Sequence, residues 1–202
     1  MILVIAVAIS LVIAIVRGGR LGRLADLGIE RAWLVLAAVA LQYPLVYIHV
    51  GGQRVLGLPM AGVLMAASWV VLAVALWVNR RLPGMALIGC GMVLNLLVMS
   101  ANGGWMPITP EAVSRLNATS KVVMVGATAR MWGAKNIVLP RADTRLWWLS
   151  DVFVLPPPFP MRVAFSPGDV LIAAGLFWLL QRGMLGPRQP VAQREGIAGE
   201  QC

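Results

Sequence analysis

Three aspartates stand together in a chain that has only eight acidic residues. They are Asp143, Asp151 and Asp169, in the stretch DTRLWWLSDVFVLPPPFPMRVAFSPGDVLIAAG that ends by entering an apolar run. Two carboxylates brought close share a proton, so one can activate water while the other donates. That is the chemistry of an aspartyl hydrolase, and these three are the candidate catalytic residues. A second account covers Asp169 equally well. Ser166-Pro167-Gly168-Asp169 is a helix start, and an acid in a first turn is stabilised by the helix N-terminus.

Other residues qualify as binding candidates. In Asn102-Gly103-Gly104-Trp105-Met106-Pro107 the paired glycines would let backbone N–H groups meet an anion; alternatively the segment is a turn with Trp105 as an interfacial anchor. Arg145 and the pair Trp147 and Trp148 would line a lipid or small-molecule site, with an apolar pocket below the two indoles. Asn95, in the middle of an apolar run, is placed to hydrogen-bond a neighbouring helix. His49 is either a solvated interfacial residue or a ligand for a metal or pigment. Two cysteines, Cys90 and Cys202, and one histidine make no metal site by themselves. No P-loop, dinucleotide fingerprint, metalloprotease motif or catalytic triad is present, and no cofactor is expected.

The elements that must position these groups are membrane helices. The 202 residues are 59% hydrophobic and 12% charged, with mean hydropathy +0.82; a soluble domain carries roughly twice that charge. Apolar runs cover 2–16, 32–50, 60–78, 85–101 and 168–180. The first is short for a hydrocarbon core of ~30 Å, a shortfall that local bilayer thinning can cover. The predicted fold is therefore all-α and membrane-embedded. Residues 1–101 form a four-span region, 102–167 an outer segment of short mixed elements, 168–181 a fifth span and 182–202 a disordered tail. Within the outer segment, Thr109-Pro110-Glu111 predicts a capped helix to about Asn117, and Val122–Val125 and Ile137–Leu139 predict strands. Pro44 predicts a kink in the second span. The glycines of RGGRLGRLADLGIER predict a tight turn and a short surface piece.

Charge sets the orientation. The net charge of +9 comes from 17 basic and 8 acidic residues. Arginines at 17, 20, 23, 31, 80, 81, 182, 188 and 194 fall on one side of a five-span chain, and only Arg54 falls in the opposite short loop. The positive-inside rule then puts the N-terminus outside and the C-terminus inside. Residues 102–167 lie outside, since long translocated segments escape that rule. Basic residues at span ends account for the charge without nucleic acid, and the expected partners are the lipid bilayer and other membrane-protein subunits.

Two resemblances follow from the motifs. Asp143 with Arg145, Asp151 with Phe153, and Phe165 with Asp169 resemble the C-terminal part of bacterial lipoprotein signal peptidase. That resemblance implies a membrane aspartyl peptidase with Asp143 and Asp169 as the pair. Here the family's Gly-Asn is missing before Asp143, Ser166 replaces an Asn and Gly168 an Ala. More broadly, Arg17-Gly18-Gly19-Arg20, the Asn102–Pro107 segment, Asp143–Asp151 and Ser166–Leu171 resemble a family of small bacterial integral membrane proteins of unknown function. That resemblance implies a bacterial cytoplasmic-membrane protein. Buried polar groups are expected to be nearly absent, so the leading expectation is a protein without catalysis, an accessory or assembly subunit of a membrane complex. The alternative is the aspartyl peptidase.

Overall fold

The protein is described here by a computed structural model covering residues 2–47, 54–55, 58–125, 127–155 and 162–186. His49, the Pro156–Pro158 run and the tail beyond Gly186 lie outside the described residues.

The apolar runs are helices: α1 (Ile2–Val16), α2 (Trp33–Tyr47), α3 (Met60–Val78), α4 (Met85–Ala101) and α6 (Pro167–Leu185), with the short α5 (Pro110–Arg115) between the last two. A continuous apolar helix satisfies its own backbone, which is what hydrocarbon surroundings require. Pro44 is accommodated inside α2. The arginine-rich connection after α1 is a 3-10 helix, Leu21–Leu27, ended by Gly28 at φ 63°.

By length and composition, α3 and α6 can each cross a membrane. The α1 helix with the 3-10 turn after it, bent by 113°, makes a third if the broken pair is one span. α2 and α4 are apolar but shorter. Among the described residues the helices therefore do not provide five full-length spans.

α6 runs five residues past Leu180, where the apolar run was expected to end. Gln181 explains this. It is buried against α1, where its Nε2 donates to the Ser10 carbonyl at 2.8 Å and its Oε1 accepts from Arg17 Nη1 at 2.9 Å. A polar residue partnered inside an interface does not end a helix.

The helices form two groups. α6 packs closely on both α1 and α4, and α2 pairs with α3 as a hairpin, while α3 and α4 make little contact. Glycines set the closeness of α4 and α6. A Cβ on Gly175 would lie 2.6 Å from the Gly84 carbonyl oxygen and 2.7 Å from Ile88 Cγ1. A Cβ on Gly91 would meet the Gly168 carbonyl oxygen. Backbones this near gain dispersion along their length, the usual glue between apolar helices.

The outer segment mixes short helical pieces with strands. It holds a four-stranded sheet in the order β3 (Met106–Ile108), β6 (Asn136–Val138), β5 (Thr128–Met131), β4 (Val122–Val125). β3 and β6 are parallel and the other pairs antiparallel. Two short antiparallel pairs complete the strands: β1 (Arg54–Val55) with β2 (Leu58–Pro59), and β7 (Phe153–Val154) with β8 (Ala164–Phe165). α5 begins as predicted, with the Thr109 hydroxyl accepting from Ala112 N at 3.2 Å.

The sheet is joined to the helices through a core of Leu45, Met65, Val98, Met99, Trp105, Met106 and Leu149. Trp105 is thus not an interfacial anchor. Its ring is buried, and the Arg130 guanidinium lies 3.7 Å above it.

Candidate functional site

Where the two helical groups part, the outer segment roofs a cavity of about 540 Å³. Its apolar walls come from the long helices, among them Val39 of α2, Leu72 of α3, Met92 of α4 and Ile172 of α6. Its polar groups are Gln42, Asn95, Lys135, Asn136, Asp151 and Asp169, with Lys121 and Arg162 also on its lining.

Asp169 is held by its own helix start. Ser166 and Asp169 form a reciprocal capping box. The Ser166 hydroxyl accepts from Asp169 N at 3.1 Å, and Asp169 Oδ2 accepts from Ser166 N at 3.3 Å. Asn95 then ties this start to α4: its Nδ2 donates to Asp169 Oδ1 at 3.0 Å, and its Oδ1 accepts from Ser166 Oγ at 2.8 Å. Gly168 makes the approach possible, since a Cβ there would collide with Asn95 Oδ1. Both oxygens of Asp169 are therefore already engaged.

Asp151 differs. It follows the 3-10 turn Trp147–Leu149, and its backbone N donates to the Pro107 carbonyl at 3.2 Å, which fixes it beside β3. Oδ2 accepts from Asn136 Nδ2 at 2.7 Å, while Oδ1 is buried without a partner among the described residues. Burial pushes this carboxyl up to about 7, and the nearby Asp169 charge adds to the rise; the Asn136 hydrogen bond and the Lys135 charge oppose it.

Lys135 completes the group. Its Nζ donates to Gln42 Oε1 at 2.9 Å, and Gln42 Nε2 in turn donates to the Ser68 hydroxyl. A polar chain thus runs from the sheet through α2 to α3. Burial lowers the Lys135 ammonium from its ordinary value, against the pull of Asp169 and Asp151. An acid moved up and an ammonium moved down in one cavity are a combination that functional sites share.

The structure thus brings Asp151 and Asp169 to one cavity and leaves Asp143 outside it. Asp143 is exposed on the 3-10 turn Arg141–Asp143 and does not line the cavity. Asn102 works within the chain: its Nδ2 donates to the Val98 and Arg145 carbonyls at 2.7 and 2.8 Å, and its Oδ1 accepts from Arg145 N at 3.0 Å. That clamp holds the Arg145 backbone, while the Arg145 side chain is exposed. Trp147 carries the Arg141 guanidinium 3.5 Å above its ring, Trp148 is exposed, and neither lines the cavity.

Gln42, Ser68, Lys135 and Asn136 were not singled out from the sequence. A signal was present. Gln42, Ser68 and Asn95 are polar residues inside three apolar runs, and Lys121 and Lys135 are the only lysines beside fifteen arginines. Both lysines line the cavity. An ammonium shifts its pKa readily on burial, whereas a guanidinium does not. The premise that polar groups are nearly absent from the interior also fails. Ser68, Asn95, Asp151, Ser166 and Gln181 are all buried.

Comparison with known proteins places the chain. A model of a family of unknown function, DUF5317, matches residues 26–181. The chain belongs to that family. The matched region holds every polar residue of the cavity and leaves out α1. An uncharacterised protein of Thermotoga maritima is 30% identical over 120 residues, a match spanning 59% of this chain and 64% of that protein. No solved structure matches.

Proposed function

We propose that this chain is an integral protein of the bacterial cytoplasmic membrane that binds a polar ligand in the roofed cavity, with Asp151 as its proton-holding carboxyl. One observation carries the reading. Asp151 Oδ1 is buried and unpartnered among the described residues, in a cavity it shares with Lys135 and Asp169. A buried acceptor without a donor is costly, and a ligand amine or hydroxyl would remove that cost. The scarcity of buried polar groups that motivated the accessory-subunit reading is not found among the described residues.

Membrane placement is supported by the apolar length of α3 and α6 and by large hydrophobic side chains exposed along the helices, such as Val16, Leu36, Val70 and Trp77. In this reading α1, α2 and α4 cross as shorter helices beside them, with the N-terminus outside and the outer segment on the same face. Alkaline phosphatase fused after Pro140 should be active, and fused at the C-terminus inactive. The reverse pattern would overturn the orientation.

The carboxyl is tested by infrared difference spectroscopy in lipid. A protonated-carboxyl band should vanish as pH rises through about 7 and be missing in Asp151→Asn. A band unchanged in that variant would sink the assignment. The ligand is sought by mass spectrometry of small molecules released from protein purified in mild detergent. A species retained by the native chain and lost from Lys135→Met supports the site; identical contents refute it.

A second reading rests on Asp169 raising Asp151 within the same cavity. It makes the pair a membrane aspartyl hydrolase, with Asp151 in the place the resemblance gave to Asp143. It requires cleavage of a fluorogenic lipopeptide that stops in both Asp151→Asn and Asp169→Asn. No cleavage by the native chain removes it.

A further inference from the structure

A second cavity, of about 410 Å³, lies on the other side of Trp69 and Met99, which line both spaces. It is the gap left where α3 and α4 part. Ala61, Gly62, Met65 and Ala66 of α3 face Leu96 and Met99 of α4 across it, and Gly62 and Ala66 are exposed at its mouth. Its polar end sits where α3 begins and α4 ends, and holds Ser100, Gly103, Gly104 and Arg130. Among the described residues no acidic side chain lines it. Arg130 Nε is buried and has no partner among the described residues, and one face of the guanidinium is taken by the Trp105 ring. Gly103 and Gly104 have φ of 72° and 88°, a turn that L side chains rarely adopt.

We infer that this cavity binds an anionic membrane lipid, with the lipid phosphate on Arg130 and an acyl chain between α3 and α4. A guanidinium edge with no carboxylate beside it among the described residues is a phosphate donor by geometry as well as charge. The walls below it are apolar and open toward the face where α3 and α4 expose Val70 and Leu97. A free phosphate ion would use the arginine and leave those walls empty. A lipid fills both, so the occupant is a bilayer lipid with a net negative headgroup. The site shares no charged residue with the roofed cavity, so either assignment can fail alone.

The test is native mass spectrometry in neutral detergent, titrating phosphatidylglycerol, phosphatidylcholine of identical chains, and inorganic phosphate. One phosphatidylglycerol should be retained in preference to phosphatidylcholine. Arg130→Gln should weaken it about fivefold and erase the preference, the effect of one basic residue at a membrane surface. Arg130→Lys should keep the preference. Gly62→Leu places a side chain where a Cβ meets nothing within 4 Å, so it fills the apolar part without touching the arginine and should weaken both lipids. Equal binding of the two lipids, or unchanged binding in Arg130→Gln and Gly62→Leu, overturns the inference. Protection by inorganic phosphate equal to that by phosphatidylglycerol would reassign the site to a free anion.

Discussion

α4 faces two neighbours, and small residues line both contacts with opposite results. Toward α6, Gly84, Gly91, Gly168 and Gly175 bring the backbones together until no Cβ would fit. Toward α3, Gly62 and Ala66 border open space, and a Cβ on Gly89 would meet only the end of the Leu76 side chain. A missing side chain allows close approach only if something else draws the helices together. On the α6 side that is the Asn95, Ser166 and Asp169 cluster, which fixes the start of α6 against α4. On the α3 side no described hydrogen bond joins the two helices. Ser68 of α3 is spent on Gln42 of α2, and the gap stays open for the cavities.

The largest effect that would break this comparison is expected at Gly175. Gly175→Val puts two methyl groups into the Gly84 carbonyl and Ile88 and should cost about 3 kcal/mol or more. Size-exclusion chromatography should show loss of the monodisperse protein. Retention of a normal, stable species would mean that the close approach is not required.

Stability should also depend on pH through Asp151. Its folded value, about 7, lies above the ordinary carboxylate value of 3.8. Between those values the native state binds the extra proton, so stability is greatest at the acid end, falls as pH rises toward about 7, and then levels off. The full drop is on the order of 4 kcal/mol at most. Thermal unfolding of Asp151→Asn in detergent should lack this component and exceed the native chain above about pH 7. A parallel pH dependence in both proteins would place the titration elsewhere.

Asn95→Ala should cost about 2 kcal/mol, because Asp169 Oδ1 and the Ser166 hydroxyl each lose a partner in a part-buried site. Denaturant or thermal unfolding checks it. If stability is unchanged, the cluster is not what joins α4 to α6. The smallest effect belongs to Gly62→Leu. Open space and better helix propensity should leave stability unchanged or raise it by up to about 1 kcal/mol. A loss comparable to that of Gly175→Val would erase the distinction between the two sides of α4.

The helices were legible because apolar runs announce themselves. α3 and α4 match their runs end to end, and α1 matches the first. The capped start at Thr109 and the strand at Val122–Val125 were legible from local rules as well. The site was half legible. Asp151 and Asp169 stood out as scarce acids, but nothing in their spacing excluded Asp143. Lys135 and Gln42 were invisible as a pair because they lie far apart in the chain and meet only when the sheet docks on α2.

By itself, the sequence determined that the chain builds apolar helices and where most of them begin and end, and it offered the Ser166–Asp169 helix start as one of two readings of that acid. Those are properties of short stretches, governed by hydropathy and by hydrogen bonds a few residues long. Only the tertiary structure decided which glycines touch and which border a void, which aspartate is buried, and which lysine stands beside it. The reason is that burial and pairing depend on what the rest of the chain leaves at each position. Asp143 and Asp151, eight residues apart, differ in chemistry only because one stays on the surface and the other is roofed over.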